Sequence, residues 1–363
     1  MVDRPLHIAI DGRELAGRPT GVGRYLLEIL KQWAATPSAH RFTLVMPSQP
    51  PAALTTLGSQ FTWHVVPDPV GGTWWEQVHL RRALQRERPD VLFAPGYTAP
   101  IWSPCPVVLT VHDVSFCAHP EWFGPREGLR RRWLTRLAAR RARTVVTVSQ
   151  FSSREIQRYL SVPASRIVVA THGAPDVGQP QADTASRIVL FVGSLFNRRH
   201  LPEMIGAFAV AAATVPDARL VIVGDNRTSP PIDPRQMAAD LRVGDRVDWR
   251  EYVDDAELDR LYRSARVFVF LSDYEGFAMT PLEALAHGVP SVLQDTEVAR
   301  EIYGPAAVLV PPVPAAIATA LGRLLTDDAA HQAQLAAGRA RLSSFSWDRS
   351  AALVMQALEK AAR

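Results

Sequence analysis

Cysteine is almost missing from this chain of 363 residues: Cys105 and Cys117 are the only two. Two thiols cannot build a disulfide framework and these lack metal-ligand spacing, so both are expected as reduced, ordinarily packed side chains. Long apolar runs are missing as well. No stretch reaches the ~18 residues needed to span a bilayer, and the apolar segment 6–10 is too short for the core of a signal peptide. A cytoplasmic protein is expected. Charge of one sign is not in excess: 21% of residues are charged, 47% are hydrophobic, and the formal net charge is +4. That balance excludes a disordered chain, and the length favours two domains over one.

Short apolar runs do occur, and in a regular order. Strand-like segments at 7–10, 42–46, 63–66, 91–94, 107–111, 144–148 and 167–170 alternate with helix-like ones, notably 74–86 and 152–160. Such alternation argues for a parallel sheet covered on both faces. A Pro-, Gly- and polar-rich break then interrupts it, after which strands at 188–192, 220–223, 267–271, 291–293 and 307–310 restart the pattern. The expected organisation is a first domain at 1–172, a linker at 173–186, a second domain at 187–345, and a C-terminal helix at 346–363 packing back on the first domain.

The stretch Glu275-Gly276-Phe277-Ala278-Met279-Thr280-Pro281-Leu282-Glu283-Ala284 follows an apolar strand and opens a helix. Ligands of open parallel sheets bind at that carboxyl edge. Thr280 as N-cap, Pro281 at the first helical position and Glu283 three residues after the cap satisfy a capping box. Two acids beside an anion-attracting helix start make sense if they grip hydroxyls. Gly193-Ser194-Leu195-Phe196-Asn197-Arg198-Arg199-His200-Leu201, after another strand, carries adjacent arginines suited to clamping an anion. Thr20-Gly21-Val22-Gly23 leads from a strand towards a helix and brings backbone N–H groups forward. It lacks the third glycine of the dinucleotide fingerprint and the Gly-Lys-Ser/Thr of a P-loop. His112 and Asp113 end a strand, where an imidazole is either packed or part of a site. Asp254-Asp255 reads as an N-cap, not a metal site.

From Arg126 to Arg143 there are eight arginines against one acid, Glu127. Trp133, Leu134, Leu137 and Ala138 fall at helical spacing, giving a basic amphipathic helix. It is either a solvated face over core-packing residues or a dock for anionic lipid headgroups. No stacking platform or reading motif supports nucleic acid.

Taken together these motifs resemble the family-4, retaining, GT-B-fold glycosyltransferases, most closely the bacterial mannosyltransferase-like branch that builds surface polysaccharides. The Glu-x7-Glu signature corresponds to 275–284 and the diphosphate clamp to 193–201. Phe191-Val192-Gly193, Thr147-Val148-Ser149-Gln150-Phe151-Ser152 and Tyr97-x-x-Pro100 through His112-Asp113 also match. The resemblance implies two Rossmann-like α/β domains facing a central cleft and transfer of a sugar from a nucleotide-diphosphate donor, without metal or cofactor. It implies catalytic roles for His112, Arg198, Arg199 and Glu275. Donor contacts would come from Gly21, Gly23, Gly193, Phe277, Ala278, Met279 and Glu283, with Glu275 on the sugar and Glu283 on the ribose. GDP-mannose is the first expectation for the donor and a glycan or lipid-linked glycan for the acceptor, on the inner face of the membrane. No covalent nucleophile stands out. Arg199 replaces the usual Lys, His200 the usual Asn, Thr280 the usual Pro, and Ala278 the usual Gly, the last expected to exclude a positive φ. A nucleotide-sugar epimerase of the same architecture and a non-catalytic two-domain sugar-binding protein are the competing readings.

Overall fold

Thirteen short strands form two all-parallel sheets in the computed structural model, which describes residues 4–17, 21–51, 54–67, 72–178 and 185–363. The first sheet holds β1 (His7–Asp11), β2 (Arg41–Met46), β3 (Phe61–Val65), β4 (Val91–Ala94), β5 (Val107–Thr110), β6 (Thr144–Thr147) and β7 (Ile167–Val169) in the order β3-β2-β1-β4-β5-β6-β7. The second holds β8 (Ile188–Val192), β9 (Arg219–Val223), β10 (Val247–Arg250), β11 (Ala265–Phe270), β12 (Ser291–Gln294) and β13 (Ala307–Val310) in the order β10-β9-β8-β11-β12-β13. The chain divides into two compact units, Met1–Gly173 with Ser346–Arg363, and Ala174–Phe345. Thr20 and positions 179–184 of the expected linker lie outside the described residues.

The central strands are mostly apolar because helices cover both faces. β1, β4, β5 and β6 are buried along their whole length, as is β11. Full burial of each Val, Leu or Ile contributes about 1.5–3 kcal/mol, which is why these runs do not alternate with polar residues. In each sheet the strand order reverses once, between β1 and β4 and between β8 and β11. The crevice outside the carboxyl ends at such a reversal is where open α/β sheets hold ligands.

Two helices close the first unit. Gly21–Ala35 follows β1, and Trp347–Ala361 packs on it, with the Trp33 indole donating to the Ala351 carbonyl at 3.1 Å. Gly173 permits this closure: a Cβ there would lie 2.3 Å from the Trp347 amide nitrogen.

Some local expectations fail. The single helix expected over 74–86 is a helix from Gly72 to Glu87 with a π-helical stretch at Trp75–Leu80. Strand β10 had no clear apolar signal, since Asp248 and Arg250 alternate with Val247 and Trp249 at the sheet's edge. Helix Pro125–Arg141 is not the simple amphipathic helix that was expected. Leu134 and Ala138 are buried, but Trp133 is 61% exposed and Leu129, one turn earlier, 62%. Gly128, Thr135 and Ala139 share the buried face with Leu134 and Ala138. Asp254 does cap its helix, accepting from the Glu257 amide at 2.7 Å.

Candidate active site

In the first unit the carboxyl ends of β1, β4 and β5 carry the candidates. Gly21 is the first residue of helix Gly21–Ala35 and Gly23 is buried in its first turn, so the pair begins a helix and does not form a turn before it. The start of that helix lies over the end of β4, where a Cβ on Gly96 would meet the Val22 side chain at 3.2 Å. One turn on, the Tyr25 ring stands edge-on to His112, centroids 4.9 Å apart.

His112 is buried, and its Nε2 donates to the Pro95 carbonyl at 2.9 Å, leaving Nδ1 as the acceptor of a neutral ring. Burial pushes its pKa below the ordinary histidine value, against the opposing hydrogen bond to Pro95. His172 stacks parallel to it at 5.9 Å and is likewise held neutral, by burial and by His112. Trp347 tilts over His172 at 5.4 Å. Beside this cluster the Tyr97 hydroxyl donates to Asp113 at 2.7 Å.

Sequence reasoning passed over an ion triad at the end of β1 whose two carboxylates are buried. Arg13 bonds Asp11 and Glu76, each at 2.7 Å, and Glu76 also accepts from the Thr98 hydroxyl at 2.6 Å. Burial acts to lower the Arg13 pKa, but the two carboxylates outweigh it and raise it. Asp11 and Arg13 were visible as neighbours in the chain. Glu76 carries no local signal, because it reaches them only through the fold.

In the second unit the other candidates meet at the β8/β11 reversal. Gly193 follows β8 with φ 146°, and a Cβ there would lie 2.5 Å from Arg199 Nη1. Glycine therefore lets the guanidinium lie against the backbone, where Nη1 donates to the Ser194 carbonyl at 2.8 Å. Nη2 donates to Glu275 Oε1 at 3.0 Å, and Glu275 also accepts from the Ser272 hydroxyl at 2.9 Å. Arg199 Nε, a buried donor, has no hydrogen-bond partner among the described residues. Both guanidiniums lie over aromatic rings, Arg198 4.3 Å from the Phe196 centroid and Arg199 4.8 Å from that of Phe270.

The capping box is not what forms. Helix Met279–Ala286 starts one residue before Thr280, and the residue in the N-cap position is Ala278, which offers no side-chain cap. Ala278 also overturns the expectation of a negative φ: it sits at φ 66°, ψ 88°. Phe277, buried against Phe345, and the Tyr303 hydroxyl bonded to the Ala278 carbonyl hold the turn in place. The N-cap position therefore supplies no side-chain cap to this helix, whose dipole favours an anion at its start. Glu283 does not close a box with Thr280; its Oε2 accepts from the Tyr262 hydroxyl at 2.9 Å.

Two family models match, glycosyltransferase family 4 over residues 19–175 and glycosyl transferases group 1 over residues 176–341. The chain belongs to the family-4 glycosyltransferases. Among its relatives is the Escherichia coli O-antigen chain mannosyltransferase B, 26% identical over 91% of this chain and 93% of that one. Among solved structures, Anabaena Alr3699/HepE in complex with UDP and glucose aligns with a TM-score of 0.75 at 19% identity, covering 98% of this chain and 100% of the other. WaaG, a glycosyltransferase involved in lipopolysaccharide biosynthesis, aligns at 0.70 with 16% identity, covering 98% and 99%. The two Rossmann-like units are those of the GT-B fold. In this glycosyltransferase an alanine takes a left-handed turn for which glycine is the unstrained residue, at a cost in backbone strain.

Proposed function

We propose that this glycosyltransferase moves a hexose from a nucleotide-diphosphate donor, with GDP-mannose the first candidate, to a glycan or lipid-linked acceptor in surface polysaccharide synthesis. One observation carries this reading: Arg199 and Glu275 stand 3.0 Å apart at a strand-order reversal, beside a helix start with no side-chain cap. Breaking a glycosyl phosphate bond leaves an oxocarbenium-like sugar and a diphosphate of growing charge. Preorganised cations and N–H donors lower that barrier. Arg198, Arg199 and the amides of Phe277, Ala278 and Met279 would hold the diphosphate. Glu275 would take sugar hydroxyls and Glu283 the ribose. Gly193 would give room to the clamp. In the first unit, Gly21 and Gly23 would offer N–H groups to an anion and His112 would meet a sugar. With no residue standing out as a covalent nucleophile, the acceptor would attack from the face the phosphate leaves. The phosphate would then take the acceptor's proton, giving retention without a metal. The mannosyltransferase relative supports the sugar, and the neighbour crystallised with UDP and glucose supports the donor class. A panel of nucleotide sugars scored by protection from thermal unfolding and by transfer tests it. GDP-mannose should raise the melting temperature most, and protection by free mannose alone would refute the donor site.

The same reading places the enzyme on an anionic membrane face through helix Pro125–Arg141. Leu129 and Trp133 protrude one turn apart among Arg126, Arg130, Arg132 and Arg136. Glu127 offsets part of that charge, since hydrogen bonds from Arg130 and Arg131 hold its pKa at about 2. No helix among the described residues is long and apolar enough to cross a membrane, so attachment would be interfacial. In flotation with anionic liposomes the protein should rise with the lipid at low salt, and Trp133→Ala should reduce the bound fraction. An unbound protein at every salt concentration would refute this.

A further inference from the structure

Three segments of the second unit converge on His200. This residue follows Arg199 in the clamp and adopts a left-handed backbone, φ 50° and ψ 45°, a region where His and Asn are enriched among non-glycine residues. Its Nε2 lies 2.7 Å from Asp273 Oδ1 in the loop after β11, and its Nδ1 lies 3.6 Å from Glu203 in the first turn of its own helix. Asp273 is fastened in turn. Its amide donates to the Arg198 carbonyl at 3.0 Å, and Oδ1 accepts from Gln294 of β12 at 2.7 Å. The clamp after β8 and the loop after β11 are thus joined by one backbone bond and two side-chain ties, Arg199 to Glu275 and His200 to Asp273.

Of these ties only the histidine changes charge near neutral pH. The charged groups around it are Asp273 from the β11 loop, Glu203 on its own helix, its chain neighbours Arg198 and Arg199, and Glu275 beyond Arg199. The hydrogen bond to Asp273 is the largest influence and raises the His200 pKa above 6.5, with burial opposing it. A protonated ring offers an N–H to both carboxylates. A neutral ring donating to Asp273 turns a lone pair towards Glu203 and loses the positive charge that attracts both carboxylates.

We propose that His200 is a positioning residue: its charged ring, through Asp273, holds the turn carrying Arg198 and Arg199 against the Glu275 loop, so affinity for the donor's diphosphate falls as pH rises. The proposal rests on the donor-site reading above and adds to it a pH dependence belonging to this chain, where the family more often has a non-titrating Asn.

The test measures GDP and UDP affinity for wild type, His200→Asn and His200→Ala at about pH 6 and about pH 8.5, on either side of the titration. The nucleotide's own phosphate also titrates in this range, equally for every variant. The readout is therefore the change relative to His200→Asn, which keeps a donor and tolerates the left-handed backbone. Wild type should lose about fivefold more affinity than His200→Asn on going to high pH. His200→Ala should bind weakly at both pH values. Parallel pH profiles for wild type and His200→Asn would overturn the role of His200 while leaving the donor site in place. Failure of the wild type to bind either nucleotide at any pH would overturn both.

Discussion

The two sheets reverse strand order in the same way, yet their carboxyl edges carry opposite chemistry. At the first edge the carboxylates are buried and matched, with Arg13 between Asp11 and Glu76, and the histidines are neutral and packed among Tyr25 and Trp347. At the second, Arg199, Glu275 and His200 are partly buried, Asp273 is exposed, and the nearby helix start has no side-chain cap. Topology fixes where a ligand can sit in each unit. Side-chain charge and solvation then decide what kind of ligand that is. On the proposed reading, the second edge would stabilise a growing diphosphate charge and the first would face neutral, hydroxyl-bearing groups.

That contrast can be broken experimentally. The largest effect is expected at the charged edge: Glu275→Ala should lower kcat/KM by about 10²–10³-fold with the protein still folded. A variant that turns over normally would remove Glu275 from the site. A smaller effect separates the two edges by sign. The His112 pKa is depressed, so the stability gained from its neutral, buried form is present above pH 6.5 and lost as pH falls below it. The raised pKa of His200 works in reverse, with its contribution lost as pH rises above 6.5. His112→Gln can keep a donor to the Pro95 carbonyl without titrating, and it should show a shallower fall in melting temperature on acidification. Equal slopes would show that the ring is not the titrating group. The smallest effect concerns the turn at the second edge. Ala278→Gly should relieve the left-handed strain and stabilise the protein by about 0.5–1 kcal/mol, partly offset by glycine's greater unfolded-state entropy. Destabilisation of that unit would mean that packing around Phe277 and Tyr303, not backbone freedom, sets the turn.

Much of this was legible in the chain. The buried strands announced themselves as apolar runs because a parallel sheet covered on both faces has no polar side to show. Gly193, Arg199 and Glu275, which the structure gathers at the β8/β11 reversal, stood out because they fall in two contiguous stretches, 193–201 and 275–284. The edge strand β10 was not, since one exposed side lets Asp248 and Arg250 interrupt the apolar pattern. Nor was the surface of helix Pro125–Arg141: helical spacing counts apolar residues without saying which way they face, and Trp133 turned outward.

The sequence by itself determined the α/β class, the two sheets and the residues of the charged edge, because strand burial, glycine turns and loop arginines are set over short distances along the chain. Only the tertiary structure decided that Glu76 neutralises Arg13, that His172 stacks on His112, that Tyr262 rather than Thr280 meets Glu283, and that Ala278 takes a left-handed turn. Each of these joins residues from separate strands or helices or depends on packing from afar. Their energies belong to contacts that exist only once the sheets have formed.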